Sequence, residues 1–463
     1  MRHPLLVIGG GLSGLAAAIR AARFIPEILL VEKHSRLGGL NSYFYRNNTL
    51  YETGLHAITN YADPGDRQAP INRLLRQLKL QRKDFTFCQQ MQSEVVFRHL
   101  ESLTFSNDVG VFNTEVRNKF PRAAVRFQKM LDFIKHFDPF LPSPFRSTRC
   151  FLAEILQAPL LAEMILCPLM FYGSSRENDI DLSQFVIMFR AIFLEGMFRP
   201  LGSIKDLIDL LTCHYLELGG HVRKNCGVKK ILTRKNSAIG VELDDGEILE
   251  CDYILSTIGH EETLRLISGT RVSNSTNLTR LGFVETMYQL PQQSPTTLPK
   301  NKTIIFFNDG EKFLYENPLD FVDFRSGVIC FPGSFQGIPQ KSMMEIRSTH
   351  LANYGKWKHL STTPDQYSDK KQDTARHSAQ MLENMIGSFA TNIVYENTFT
   401  PVTIERYTVK INGAIYGSPE KIKDGNIGYP NLFLAGTDQG FLGIIGSMLS
   451  GVSIVNQHIL PKL

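Results

Sequence analysis

The spacing of apolar positions changes several times along the chain, and each change predicts an element. Leu5, Leu6, Val7 and Ile8 form a short apolar run suited to a buried parallel strand. A glycine-rich stretch, 9–14, follows at once, and then residues 15–22, alanine-rich and helical in pattern. A second apolar run, 28–31, ends at Glu32. From 69 to about 200 the chain is rich in Phe, Met and Leu and reads as largely helical, with a loop at Pro139, Pro142 and Pro144. At 201 the character changes. Ser203 is the expected N-cap of a helix over 204–218, whose apolar positions Ile204, Leu207, Ile208, Leu211, Tyr215 and Leu218 keep helical spacing. Gly219 and Gly220 stop it. Strands are predicted at 228–232, 238–243 and 248–251, with a turn at Asp244-Asp245-Gly246, and a further buried strand at 253–257. Residues 271–409 look mixed, with aromatic strands at 302–308 and 328–331 and a helix over 365–386. A last apolar strand runs from Asn431 into Gly436, and 440–460 is glycine-punctuated and then helical.

The first segment carries chemistry. A strand, a Gly-x-Gly-x-x-Gly turn at Gly9, Gly11 and Gly14, a helix, and a strand ending in an acid together make a dinucleotide-binding unit. Gly9 permits the tight turn, Gly11 lets backbone approach a pyrophosphate, and Gly14 lets helix and strand pack closely. Leu12 and Ser13 complete the turn ahead of the helix, whose N-terminus, with unpaired N–H groups and partial positive charge, faces the phosphates. Glu32 closes the second strand beside Lys33, where its carboxylate takes both hydroxyls of an adenosine ribose.

Composition bounds the rest. A chain of 463 residues buries a large core and holds two or three domains. Its 43% hydrophobic and 21% charged content is ordinary for a folded chain. The net charge of +5 makes no demand for nucleic acid, which is not an expected partner. Arg223, Lys224, Lys229, Lys230, Arg234 and Lys235 read as a solvated strand face, with attraction to an acidic membrane surface as the alternative. The seven cysteines include no CxxC spacing, so neither a metal site nor a redox dithiol is expected, and a reducing, cytoplasmic setting is the natural reading. The basic, then apolar, N-terminus reads as strand and helix rather than a leader, because its glycines fall where the dinucleotide turn needs them. The most apolar later stretch, 160–172, contains Glu163 and Pro168 and is shorter than the roughly 20 residues a bilayer needs, so no membrane crossing is expected.

Three separated pieces extend the site beyond one nucleotide. Glu32 is followed by Arg36, Leu37, Gly38 and Gly39, whose glycines bring backbone close to a pyrophosphate and flavin. Val228, after Gly219 and Gly220, offers edge backbone to adenine. Gly436-Thr437-Asp438 offers a carboxylate to ribityl hydroxyls, and the helix start near Gly443 and Ile444 faces the flavin. Asp438 capping that following helix is a compatible second role. Together these pieces resemble the FAD-containing amine oxidase and phytoene desaturase superfamily over nearly the whole chain. Tyr51-Glu52-Thr53-Gly54-Leu55-His56, Gly413-Ala414-Ile415-Tyr416-Gly417 and Phe433-Leu434-Ala435-Gly436-Thr437-Asp438-Gln439 are similar to its carotenoid isomerase and retinol saturase branch. One departure is Leu40, which stands where amine oxidases place arginine after the double glycine.

The resemblance implies an α/β fold. A discontinuous, Rossmann-like FAD-binding domain is expected from 1–68, 201–270 and 411–463, with an inserted α+β substrate-binding domain from 69–200 and 271–410. It also implies FAD as cofactor, hydride exchange at the flavin ring nitrogen, and an apolar channel for a hydrophobic polyene or isoprenoid substrate. Desaturation, saturation and isomerisation are equally compatible. The 31 phenylalanines against one tryptophan fit such a channel or simply a large core. In the resembling motif the segment with Leu55 and His56 passes the flavin. His56 then touches substrate or moves a proton near neutral pH, or else makes a structural hydrogen bond to neighbouring backbone. Tyr416 lies against ring or substrate, or is a core tyrosine. Arg36 pairs with a phosphate or ribose, or sits at the surface. A lipid-soluble substrate makes peripheral membrane contact a working expectation. Amine oxidase or protoporphyrinogen oxidase chemistry, and a flavin-free binding protein of the GDP-dissociation-inhibitor type, are the other two readings.

Overall fold

The computed structural model describes residues 2–141, 143–268, 280–294 and 297–462. Pro142 of the expected loop, and the division placed between 270 and 271, lie outside the described residues. The opening unit forms as its pattern predicts: β1 (Arg2–Ile8), α1 (Leu12–Ala22) and β2 (Leu29–Val31). Among the described residues, eight strands share one sheet. Its parallel centre runs through His221–Arg223, β2, β1, Ile248–Ser256 and Leu432–Leu434, so three distant stretches of chain build one nucleotide-binding core.

Two expected strands, 248–251 and 253–257, are in fact the single strand Ile248–Ser256. Its first half pairs antiparallel with Ser237–Leu243, and its second half pairs in parallel with Leu432–Leu434. Asp252, at the changeover, breaks nothing because its side chain points to solvent and meets Arg2 at 2.6 Å. The helix Ile204–Glu217 starts where Ser203 and Asp206 cap each other, the Ser203 N–H donating to Asp206 Oδ2 at 2.8 Å.

The largely helical reading of 69–200 needs a correction. Phe87–Gln89, Gln92–Phe97, Glu101–Phe105 and Met197–Pro200 are strands. Gln92–Phe97 alternates buried and less buried side chains, the period of a half-buried strand, and pairs in parallel with Lys302–Asn308. That partner is distant in sequence, so local propensity could not announce it. Among the described residues Gln92–Phe97 and Glu101–Phe105 complete a seven-stranded sheet ordered Tyr395–Phe399, Gly282–Pro291, Met343–Ala352, Val322–Cys330, Lys302–Asn308, Gln92–Phe97, Glu101–Phe105, while Phe87–Gln89 and Met197–Pro200 join Ile58–Thr59 in a small sheet of three.

Helices from Val109–Lys119 to Leu182–Phe189 form a layer whose core interleaves phenylalanine with leucine, isoleucine and methionine. Phe112 stacks on Phe193 at 4.3 Å, and Phe105, Phe185 and Phe189 are completely buried with them. The phenylalanine excess therefore serves core packing more than any channel. The C-terminal helix Gly443–Ile454 packs on α1 so closely that a Cβ on Gly451 would lie 2.2 Å from Ser13 O. The helical run 443–462, expected as helix but not as a membrane candidate, is long and apolar enough by composition to cross a membrane. Half of it is buried inside the fold. All seven cysteines are free thiols.

Candidate functional site

The site begins at the C-terminal end of β1. Gly9 takes φ +99°, and a Cβ there would lie 2.7 Å from Thr257 Oγ1. A Cβ on Gly14 would lie 2.0 Å from Gly9 O, so Gly14 faces the strand and sets the helix against it. It is a packing glycine and does not border the cleft. Gly11 differs. It is extended, at φ −68° and ψ 174°, and an added Cβ would meet nothing nearer than Gly39 Cα at 3.9 Å. It is also the N-cap of α1 with no side chain capping the helix, and Ser13 Oγ, buried beside it, has no partner among the described residues. An open backbone face, an uncapped helix start and an orphaned hydroxyl together suit a diphosphate.

These groups border a cavity of about 890 Å³. At one end Glu32 accepts from Gly10 N at 2.7 Å and His34 N at 2.9 Å, one bond per oxygen. This aims the carboxylate and leaves lone pairs for ribose hydroxyls. Lys33 and Val228 border the same cavity, Val228 opening the strand Val228–Arg234. Arg36 sits exposed at the rim, its guanidinium donating to Tyr43 O at 3.2 Å and lying 5.5 Å from the Tyr43 ring centroid. Leu12, Ser13, Gly38, Gly39 and Gly436 line the cavity, with the Gly38 N–H donating to Gly10 O at 2.9 Å. Leu40, His56, Tyr416, Gly443 and Ile444 line it as well.

Two expected contacts are not made. Asp438 is completely buried away from the cavity, accepting from Ser418 N and His260 N at 2.7 Å each. It therefore caps the helix His260–Ser268 and not Gly443–Ile454, whose N-cap is Leu442. Burial opposes its charge, but Lys410, Lys421 and the two N–H groups hold its pKa down to about 2. The adjacent Thr437 lines the cavity, its buried Oγ1 without a partner among the described residues, and was not expected as a contact. Leu55 is the second correction. It is fully buried, and its carbonyl accepts from Arg199 at 2.7 Å.

Beyond the nucleotide cleft the cavity is walled by Phe171, Tyr172, Phe283, Val328, Ile415 and Tyr416. The Tyr416 hydroxyl donates to Phe171 O at 2.5 Å, and burial pushes its pKa up, so it offers the cavity an aromatic face. Among the described residues, the His56 ring makes no bond to neighbouring backbone. Its Nε2 lies 3.3 Å from Glu285 Oε2 and 3.4 Å from Thr349 Oγ1. Glu285 in turn meets Arg347 at 3.3 Å, and Arg347 also holds Glu345 at 2.5 Å. Burial works against charge on Glu285, but His56 and Arg347 keep its pKa below the usual carboxylate range. The backbone around His56 is clamped as well: Arg199 donates to Leu55 O and His56 O and pairs with Glu52, which also accepts from Ile204 N at 2.5 Å. Glu285, Arg347 and Arg199 were not singled out beforehand. The available signal was a charged residue set within each of three apolar strands, Gly282–Pro291, Met343–Ala352 and Met197–Pro200.

The chain is 21% identical to a prolycopene isomerase of Arabidopsis thaliana, over 92% of its own length and 76% of the relative's. It is 22% identical to a 4,4'-diaponeurosporene oxygenase of Staphylococcus haemolyticus, over 93% and 92% of the two chains. Its fold is similar to that of an oxidoreductase from Methanosarcina mazei, with a TM-score of 0.67 at 15% identity, covering 98% of this chain and 100% of the other. The family model described as flavin containing amine oxidoreductase matches residues 12–264, more than half of the chain. Since that span holds the start of α1 with Ser13, the aimed Glu32 and the His56 segment, the chain belongs to the flavin containing amine oxidoreductase family.

Proposed function

We propose that this FAD-dependent oxidoreductase acts on carbon–carbon bonds of a hydrophobic polyene or isoprenoid substrate, by desaturation, saturation or isomerisation. The observation that carries the proposal is the aromatic chamber opening directly off the cofactor cleft. The likeness to a prolycopene isomerase and a diaponeurosporene oxygenase supports the same reading. In this arrangement the segments of the large sheet hold the cofactor, and the second sheet with its helical layer holds the substrate.

When bound, FAD supplies two-electron redox chemistry. Gly11, Ser13 and the start of α1 would hold its diphosphate, Glu32 its adenosine ribose, and Thr437 with the start of Gly443–Ile454 the flavin end. The chain's own task is then positioning. Phe171, Phe283 and the Tyr416 ring grip a substrate that has few polar handles, and exclude water from it. His56 would take or give a proton, its Nε2 oriented by the Glu285 carboxylate that Arg347 keeps ionised.

For location we propose the cytoplasm, at a membrane surface from which a lipid-soluble substrate is drawn. Phe140, Leu141 and Phe145 project from one loop, 60%, 62% and 48% exposed, with the Arg176 guanidinium 4.3 Å from the Phe145 ring centroid. Sedimentation with acidic liposomes at low salt tests this, and failure to bind would overturn it. The activity is tested by incubating the FAD-loaded protein with polyenes and analysing products by mass and by chromatographic isomer separation. A gain or loss of a hydrogen pair, or an isomer at constant mass, is expected. Peroxide release from amines without any change in polyenes would reject the proposal.

A further inference from the structure

We propose that a second cavity, separate from the cofactor cleft, takes the phosphate of an anionic phospholipid. This rests on the membrane-surface reading above and names the lipid chemistry that would anchor the chain there. The cavity measures about 890 Å³, as large as the first, and no residue lines both. It lies between the helices Gly443–Ile454, Pro70–Leu78 and Leu182–Phe189.

Its charge is what points to a ligand. Five cations line it, Arg73, Arg176, Arg190, Lys421 and Lys423, and among the described residues none of them makes an ion pair. Arg190 donates to the carbonyls of Ile134 at 3.1 Å and Phe137 at 2.7 Å. Lys421 donates to those of Tyr416 at 2.6 Å and Thr437 at 3.1 Å. The side chains of Arg73 and Lys423 have no hydrogen-bond partner among the described residues. Three acids border the same space without balancing this charge. Asp181 uses its oxygens to accept from Arg146 N and Ser183 N. Glu195 accepts from Asn60 at 2.8 Å, and burial raises its pKa, which favours its neutral form. Even with Asp181 and Glu420 both ionised, the cations outnumber the carboxylates. Burial also lowers the Lys421 pKa to about 8, although Asp438 acts in the opposite sense. Like charges gathered round one cavity repel each other unless an anion sits among them.

The lip of the cavity indicates where that anion comes from. Phe140, Phe145 and Phe441 line the same space as the cations. Phe140 stacks on Phe441 at 5.7 Å, and Arg176 lies 4.3 Å from the Phe145 ring centroid. Exposed rings beside arginine and lysine match a bilayer interface, with rings at the acyl boundary and cations at the phosphates. A soluble phosphate compound would engage the cations and leave the rings in water. A phospholipid engages both. The other basic face, Lys229, Lys230 and Arg234, borders neither cavity, and there Lys229 already meets Glu242 at 2.5 Å.

The test follows flotation of the FAD-loaded chain with vesicles of phosphatidylcholine, alone or with about one fifth phosphatidylglycerol. The triple variant Arg73→Gln, Arg176→Gln, Lys423→Gln is compared with Lys229→Gln, Lys230→Gln, Arg234→Gln, which removes equal charge elsewhere. Binding to the acidic vesicles should weaken about fivefold per cavity cation, roughly a hundredfold in all, and far less in the strand variant. Thermal melts with short-chain phosphatidylglycerol or inorganic phosphate separate the two sources of anion. The lipid should raise the wild-type melting temperature at concentrations where phosphate does not. Equal stabilisation by phosphate, or none by the lipid, would overturn the lipid assignment. Equal losses in the two variants, or no loss in the cavity variant, would overturn it too and leave membrane binding standing. Failure of the wild-type chain to bind either vesicle would overturn the membrane reading as well.

Discussion

Replacing Gly11 by alanine should strip the cleft of FAD without harming the fold. The backbone there is in a conformation open to any residue, and the new Cβ would touch only Gly39 Cα, at an ordinary 3.9 Å. Removing glycine's freedom from the unfolded chain should even add about 0.4–1 kcal/mol of stability. The methyl, however, occupies the face by which loop N–H groups reach the diphosphate. Two charge-assisted hydrogen bonds lost at about 1.5 kcal/mol each give about 3 kcal/mol, or roughly a hundredfold weaker FAD binding. Gly14→Ala is the control of opposite kind. Its Cβ falls 2.0 Å from Gly9 O and forces α1 off β1, an overpacking worth about 1–3 kcal/mol. The assay is a thermal melt of each apoprotein followed by FAD titration. Gly11→Ala should melt at or slightly above wild type and bind FAD poorly, while Gly14→Ala should melt a few degrees lower before any flavin is added. Wild-type FAD affinity in Gly11→Ala would refute the assignment of the open face.

Other outcomes follow from the buried charges. Arg347→Met leaves Glu285 and Glu345 without their cation at a site 1% exposed, and should cost about 3–5 kcal/mol in denaturant unfolding; a loss under about 1 kcal/mol would mean the cluster is not coupled. His56→Gln and Glu285→Gln should each lower turnover about a hundredfold or more with FAD content retained, and unaltered turnover in either would remove the proton-transfer role. His350 is buried with its ring nitrogens 3.0 Å from Ser326 O and Ser378 Oγ, and burial lowers its pKa to about 4. The unfolded chain takes that proton near pH 6.5 and the fold refuses it. Stability is therefore full above about pH 6.5 and falls as pH drops toward 4, by about 2 kcal/mol at pH 5. Melting curves across that range should show the slope, and a His350→Asn variant should lack this share of it.

What the chain determined by itself was local. The turn at Gly9, Gly11 and Gly14, the acid at Glu32, the cap at Ser203 and the strand Lys302–Asn308 depend on backbone conformation and short spacings, which adjacent residues set. Side-chain direction was decided elsewhere. Asp438 turns from the cleft because His260 and Ser418, far away in sequence, bring it N–H groups and Lys410 and Lys421 bring it charge, and Thr437 is left to face the cavity. His56 was visible as a residue type, but its partners Glu285 and Thr349, and the arginines behind them, meet it only when the seven-stranded sheet closes over the cleft. The same holds for Gln92–Phe97, whose strand exists because Lys302–Asn308 pairs with it. Hydrogen bonds and ion pairs act over a few ångströms of space, and only tertiary packing converts such distances in sequence into neighbours.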